Sequence, residues 1–180
     1  MTLPFSTVGH STRSLDDFVA LLAPSAVARV VDIRTVPRSR ANPQFDKAAL
    51  PAALAPSGIA YEHAAALGGL RGRSRDVPPE VNGFWTNDSF HNYADYALSP
   101  AFRAALDALV AAGHHEHCAI MCSEAVWWRC HRRIVADHLL ARGETVLHLM
   151  APGREDGASL TPGAVVRPDH SVVYPARPQR

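Results

Sequence analysis

The feature that most constrains the fold is a repeated succession of short apolar runs and segments with helical spacing. Apolar runs that predict strands lie at residues 4–8, 28–33, 59–67, 118–122 and 145–150. Segments that predict helices lie between them, at residues 14–24, 46–55, 87–98, 99–113 and 126–141. Strands that alternate with helices are typical of a sheet covered on both faces. We therefore expect an α/β fold, a single three-layer domain with a mostly parallel sheet of about five strands flanked by helices.

Chain length and composition agree with one folded domain. The chain has 180 residues, of which 47% are hydrophobic and 19% are charged, as expected of a globular rather than a disordered protein. The α/β pattern covers about residues 5–150, and residues 151–180 form a tail rich in Pro, Gly and Arg. The tail contains a short candidate strand at residues 171–174. We predict one domain over residues 1–180.

Charge and cysteine usage narrow the classes of partner and compartment. Lys and Arg number 18 against 17 for Asp and Glu, so the whole chain offers no electrostatic argument for nucleic-acid or membrane binding. No apolar run approaches the roughly 20 residues of a membrane span, and residues 1–5 lack the features of a signal peptide. The 3 cysteines are odd in number and closely spaced, which is not a disulfide framework. A reduced, cytoplasmic setting is therefore expected.

Polar side chains cluster where the predicted strands end. The clusters lie at residues 10–11, 32–34, 68–69 and 122–124, directly after four of the apolar runs. In parallel sheets, ligands bind beyond the carboxyl ends of the strands, where the strand order reverses. We therefore expect these clusters to share one binding site.

Nucleophilic and acid/base chemistry is concentrated between Cys122 and Arg132. A thiol between a strand and a helix can be activated by helix amides, which predicts Cys122 as a catalytic residue. Glu124 and His131 are the matching candidates for acid/base catalysis. A neighbouring carboxylate would raise the pKa of a thiol, so acid/base steps and nucleophilic attack both stay open. Core packing is the alternative for each thiol, and for Cys130 we favour it.

Other residues are candidates for substrate or metal binding. Arg34 and Arg132 could hold an anionic group through paired N–H donors, although Arg34 could equally form a structural salt bridge with Asp32. Tyr93 could line a pocket or pack in the core. A zinc site is conceivable in space, although no spacing in the sequence demands it. Its ligands would be Cys122, Cys130, His131 and His10.

Several motifs in order resemble those of the DUF488 family. They lie at residues 7–12, 31–39, 67–69, 93–96, 121–124 and 130–132. The resemblance implies a compact α/β domain of bacterial origin, in a family named for its unknown function. It also implies that the characteristic polar positions are His10, Arg34, Gly68, Gly69, Tyr93, Cys122, Glu124, Cys130, His131 and Arg132. A fainter likeness to rhodanese-type domains rests on residues 32–34 and on the thiol of Cys122 between a strand and a helix.

Three functional hypotheses follow, each with its own partner. The first is an enzyme that hydrolyses or transfers a group of a small or nucleotide-like anionic substrate. The second is a nucleic-acid-associated module, for example in DNA repair, that uses arginines on two loops, namely Arg38, Arg40, Arg71, Arg73 and Arg75. The third is a metal or haem protein. Residues 70–88 could form a lid, and the aromatic residues Phe84, Trp85 and Trp128 could serve the lid or a homo-oligomer interface.

Overall fold

The computed structural model describes residues 2–178, and its centre is a sheet of six strands. The strands are β1 (Phe5–Gly9), β2 (Arg29–Asp32), β3 (Ala60–His63), β4 (Cys118–Cys122), β5 (Val146–Ala151) and β6 (Arg154–Gly157). Their order across the sheet is β3-β2-β4-β1-β5-β6. All neighbours are parallel except β6, which runs antiparallel to β5. The α/β prediction with a mostly parallel sheet is confirmed, with one more strand than expected.

Five α-helices cover the two faces of this sheet. They are α1 (Leu15–Leu22), α2 (Leu50–Leu54), α3 (Asp88–Tyr96), α4 (Pro100–Gly113) and α5 (Arg132–Ala141). Side chains of a strand point alternately to opposite faces. In β4, Ala119 and Met121 therefore join the core under α1 and α2, whereas Cys118, Ile120 and Cys122 join the core under α3, α4 and α5. This alternation gives the three layers that the sequence predicts.

Local hydrogen bonds explain where the helices begin. Ser14 Oγ accepts from the Asp17 amide at the start of α1, and Ser99 Oγ accepts from the Phe102 amide ahead of Pro100 in α4. The helix predicted at residues 126–141 begins only at Arg132, which corrects the expectation for its first turns. Residues Trp127–Arg129 form a separate 3₁₀ turn, and Cys130 is extended, with φ −124° and ψ 148°.

Two further predicted elements are shorter in the structure. The strand expected at residues 59–67 ends at His63. Within residues 2–178 it pairs with β2 alone, and β2 ends at Asp32. The Ala64 amide makes the last hydrogen bond of this pairing, to the Asp32 carbonyl. The helix expected at residues 46–55 begins at Leu50, after a 3₁₀ turn at Pro43–Phe45.

The C-terminal tail is folded against the domain. After a turn at Gly153, where φ is +73°, β6 pairs with β5 at the edge of the sheet. Strand β7 (Val165–Val166) pairs with β8 (Val172–Val173), within the strand expected at residues 171–174. The Tyr174 hydroxyl then donates to the Asp137 carboxylate at 2.7 Å. The tail is therefore anchored on α5.

The order of the strands places a crevice between β1 and β4. These strands are neighbours, with Gly9 opposite Cys122. The chain leaves β1 for a helix on one face, and it leaves β4 for α5 on the other face. Beyond the strands, the His10 amide still donates to the Cys122 carbonyl at 2.9 Å. This is the reversal point at which ligands bind in open α/β sheets.

Within residues 2–178, no helix is long and apolar enough to cross a bilayer.

Candidate active site

A cavity of about 450 Å³ opens at the carboxyl ends of β1, β2 and β4. Most of the predicted site residues line it, namely His10, Arg34, Gly69, Cys122, Glu124, Cys130 and His131. Gly68, Tyr93 and Arg132 do not line the cavity and lie behind its walls. The polar clusters at four strand ends thus contribute to a single concave site.

Two thiols line the cavity. Cys122, at the end of β4, donates from Sγ to the Glu124 carbonyl at 3.7 Å, and Cys130 lies just before α5 with its Sγ 3.5 Å from His131 Nδ1. Both side chains are almost fully buried, and both are free thiols. The Arg132 amide, in the first turn of α5, donates to Cys130 Sγ at 3.4 Å. Cys130 is therefore a member of the site, although the sequence favoured core packing for it.

Arg132 holds the loop between the two cysteines. Its side chain is 1% exposed. Its Nη1 donates to Cys122 Sγ at 2.6 Å and to the Glu124 carbonyl, and its Nη2 donates to the Ala125 carbonyl at 3.1 Å. The sequence predicted that Arg132 would bind an anionic substrate, but these contacts use its guanidinium inside the protein. Arg132 is placed to position the loop and to stabilise negative charge on sulfur.

The surroundings shift the pKa values of the two thiols in opposite directions. Burial raises the pKa of Cys122, and the hydrogen bond to Cys130 and the charge on Cys130 raise it further. Burial also favours a higher pKa for Cys130, but the hydrogen bond from Cys122, the charge of Arg132 and the Arg132 amide outweigh burial and lower that pKa. A helix N-terminus acts in the same direction on a thiolate. Of the two thiols, Cys130 is therefore the one whose pKa is lowered, which makes it the candidate thiolate.

His131 is fixed as a neutral imidazole beside Cys130. Its Nε2 lies 2.8 Å from the Ile33 carbonyl, which can only accept, so Nε2 carries the proton. Burial lowers the pKa of His131, which keeps the ring neutral and leaves the Nδ1 lone pair facing Cys130 Sγ at 3.5 Å. His131 is thus placed to accept a proton from the thiol pair.

Two predicted residues pack against His131, namely Tyr93 behind the cavity and Gly69 on its wall. Tyr93 is fully buried under the imidazole, with the ring centroids 4.9 Å apart, and its hydroxyl donates to the Leu67 carbonyl. A Cβ at Gly69 would lie 2.5 Å from His131 Nδ1, so only glycine permits this close approach.

Arg34 and His10 form a rigid polar wall. Arg34 binds the Asp32 carboxylate through two N–H donors, at 2.9 and 2.7 Å, so the structural salt bridge considered for this pair is present. Arg34 Nη1 lies 3.2 Å from His10 Nε2, and His10 Nδ1 lies 2.8 Å from the Ser11 carbonyl. Burial is the main cause that lowers the pKa of His10. His10 is therefore held neutral with both nitrogens engaged.

The family comparison covers the thiol pair and most of the cavity wall. The family model described as "Domain of unknown function DUF488" matches residues 14–139, more than half of the chain. The chain belongs to the DUF488 family. No curated protein and no solved structure matches the chain. Membership of the DUF488 family assigns no activity, so the chemistry must be argued from the site.

The residues considered as zinc ligands are partly engaged by other protein groups. Within residues 2–178, no group of three or more His, Cys, Asp or Glu side chains could hold an ion. Both His10 nitrogens and His131 Nε2 are engaged by protein groups, as described above. Residues 114–117, His-His-Glu-His, are another group of potential ligands along the chain. Their histidines have separate partners, because His114 pairs with Glu144 and His117 with Ser6.

Sequence reasoning missed several residues on the outer wall of the DUF488 cavity. These are Thr35, Val36, Ser39, Leu70, Ser89, Phe90 and Arg129. Arg38, which was considered for contacts to phosphate and to nucleic acid, lines the cavity too. Ser89 and Phe90 come from the start of α3, which packs over the site from a distant part of the sequence. Arg129 carried one usable signal, because it directly precedes Cys130.

The rim of the cavity carries a net positive charge. Arg38 and Arg129 are exposed, and neither forms an ion pair within residues 2–178. Glu124, also exposed, is the acidic side chain at this rim. Two guanidinium groups against one carboxylate favour a substrate with negative charge.

Proposed function

We propose that this DUF488 domain is an enzyme that transfers or hydrolyses a group of a small anionic substrate through a covalent bond to Cys130. The observation that carries the proposal is the pair of thiols that both accept from Arg132 and both line a cavity with a cationic rim. A thiolate stabilised by a helix amide and a guanidinium is a strong nucleophile. A cavity of about 450 Å³ has the size of a small-molecule site.

Cys130, His131 and Glu124 have separate roles in the proposed reaction. Cys130 Sγ forms a bond to the electrophilic atom while the bond to the leaving group breaks. His131, neutral before the reaction, takes a proton from the thiol pair through Nδ1 and can return this proton to the leaving group. Glu124, exposed at the rim, is placed to take a proton from water or from a second acceptor when that molecule releases the group from sulfur.

The cationic rim supports the choice of an anionic substrate. Arg38 and Arg129 are free to bind carboxylate or phosphate oxygens, whereas Arg34 is already engaged by Asp32. Anionic molecules reach such a site faster than neutral ones, because the positive charges raise their local concentration.

The nucleic-acid hypothesis has less support from the placement of its arginines. Arg71 lies over the Tyr96 ring and donates to the Gly68 and Ala65 carbonyls, so its guanidinium is engaged within the protein. Arg73 and Arg75 line a second cavity together with acidic side chains, namely Asp76, Asp88 and Asp95. The carboxylates there would repel phosphate.

Two alkylating reagents of similar size and different charge test the proposal. Purified protein is treated with anionic iodoacetate or neutral iodoacetamide, and the modified cysteine is identified by peptide mass spectrometry. We expect modification at Cys130 and not at Cys118. We also expect a preference for iodoacetate that falls by about tenfold when Arg38→Gln and Arg129→Gln are combined.

The control is Arg40→Gln, because Arg40 is exposed on the same loop as Arg38 and does not line the cavity. This variant should retain the preference for iodoacetate. Equal reaction of Cys130 and Cys118, or a charge preference that survives the double substitution, would contradict the proposal.

A further inference from the structure

The second thiol at the site forms no bond in the reaction proposed above. Cys122 and Cys130 line the same cavity, and Arg132 donates to both sulfurs, from Nη1 to Cys122 Sγ at 2.6 Å and from its amide to Cys130 Sγ at 3.4 Å. A seven-residue loop joins the two cysteines, residues 123–129. Arg132 binds two carbonyl groups of this loop, and Trp127 stacks on His148 with ring centroids 4.3 Å apart. The fold thus holds both thiols on one residue, Arg132, at a cavity that admits a small molecule.

We infer that Cys122 and Cys130 form a redox-active dithiol that reduces a small anionic disulfide and closes to an intramolecular disulfide. This inference rests on the proposed function only in taking Cys130 as the attacking thiolate. It names the substrate class, a disulfide that bears carboxylates, and it assigns the second step to Cys122.

The reaction balances without a further oxidant. Cys130 thiolate attacks one sulfur of the substrate, a bond from Cys130 Sγ to that sulfur forms, and the substrate's disulfide bond breaks to release a thiolate. Cys122 Sγ then attacks Cys130 Sγ and displaces the second half of the substrate, which takes the Cys122 proton and leaves as a thiol. The substrate gains two electrons, and the two cysteines lose them as their disulfide forms.

The contacts of the two sulfurs suit this order of steps. Cys130 receives the Arg132 amide and the Cys122 proton, which stabilise a thiolate for the first attack. Cys122 receives Arg132 Nη1 at 2.6 Å, which stabilises negative charge on Cys122 as its proton leaves in the second attack. Arg132 donates to both sulfurs, so the two steps take place beside the same side chain and amide.

A matched pair of small disulfides provides the test. Dithiodipropionate and cystamine share the same two-carbon arms, but the first ends in carboxylates and the second in ammonium groups. Reduced protein is mixed with each reagent, quenched with acid, and analysed by peptide mass spectrometry. We expect dithiodipropionate to produce the Cys122–Cys130 disulfide about tenfold faster than cystamine.

Two variants separate the steps, and a third is the control. In Cys122→Ser, a mixed disulfide between the reagent and Cys130 should accumulate because the resolving thiol is absent. In Cys130→Ser, Cys122 should stay reduced. Cys118→Ala should behave as the wild type, because Cys118 is buried in the same strand about 13 Å from Cys122.

The outcomes distinguish this inference from the proposed function. Accumulation of the mixed disulfide in the wild-type protein would overturn the role of Cys122 and leave Cys130 as a nucleophile. Equal rates with the two reagents would overturn the anionic substrate class. The wild-type measurement does not depend on the folding of either serine variant.

Discussion

The two ends of β4 place cysteines of the same strand face in opposite situations. Cys118, at the amino end, is fully buried, and burial raises its pKa to about 11. Its neighbour His117 is satisfied by Ser6 Oγ at 2.8 Å and by the Ser25 carbonyl at 2.7 Å. Cys122, at the carboxyl end, contacts a guanidinium, a second thiol and a cavity.

The comparison shows that burial alone makes a thiol inert. At each end of the strand, burial removes water from the charged form of the cysteine there and so raises its pKa. At the carboxyl end, the amide and the charge of Arg132 lower the pKa of Cys130 despite its burial, whereas the pKa of Cys122 stays raised. These donors lie at the carboxyl end because the first turn of α5 packs beside the end of β4.

The largest effect is expected from Arg132→Met, which would make the carboxyl end resemble the amino end. The substitution removes the donors to the Glu124 and Ala125 carbonyls and to Cys122 Sγ. Each buried polar group left without a partner costs ~1–3 kcal/mol, so the free energy of unfolding should fall by about 3 kcal/mol. Alkylation of Cys130 should slow at the same time. Denaturant unfolding and the iodoacetate reaction measure the two effects.

Arg133→Met is the matched control for Arg132→Met. Arg133 is the next residue of α5, is only half-buried, and donates to Thr161 Oγ1 at 3.0 Å, away from the cysteines. This variant should keep the reactivity of Cys130. If Arg132→Met and Arg133→Met lowered that reactivity equally, Arg132 would have no special role in the site.

A smaller effect is expected from Gly9→Ala, which disturbs the loop without removing a charge. A Cβ at Gly9 would lie 1.8 Å from the Glu124 carbonyl oxygen, so the backbone of the loop has to move. Overpacking of this kind costs ~1–3 kcal/mol. We expect a loss of stability in that range and slower alkylation of Cys130, measured as for Arg132→Met.

Gly157→Ala controls for the general effect of alanine in a strand. Gly157 ends β6, and a Cβ built there meets no atom within 4 Å. It should change neither stability nor alkylation measurably. Normal reactivity of Cys130 in a destabilised Gly9→Ala protein would show that the loop position does not control the thiol.

The sequence predicts much of this site because polar residues follow apolar strands. The alternation of elements places the ends of β1, β2 and β4 side by side, so His10, Arg34 and Cys122 could be expected to meet. The role of Arg132 could not be predicted, because nothing in its sequence context shows that its side chain turns inward to bind carbonyl groups. Cys130 packs in the core, as the sequence favoured, but its bond from the Arg132 amide was not expected, since a helix was predicted over residues 126–141 and a thiol inside a helix would have no amide pointing at it.

The contributions from distant segments were also beyond sequence reasoning. Arg38 and Phe90 reach the cavity from loops whose paths depend on tertiary packing. The stack of Trp127 on His148 joins the loop to β5, although nothing in the sequence relates these two residues.

The most direct test of the account is a titration of the thiolates by their ultraviolet absorbance. Wild-type protein should show one thiolate at a pH below the ordinary cysteine pKa of about 8.5, and Cys130→Ser should abolish this signal. Cys118 should ionise only near pH 11, where burial places its pKa. If no thiolate appeared below the ordinary cysteine range, or if the early signal survived Cys130→Ser unchanged, the assignment of a reactive thiolate to Cys130 would be contradicted.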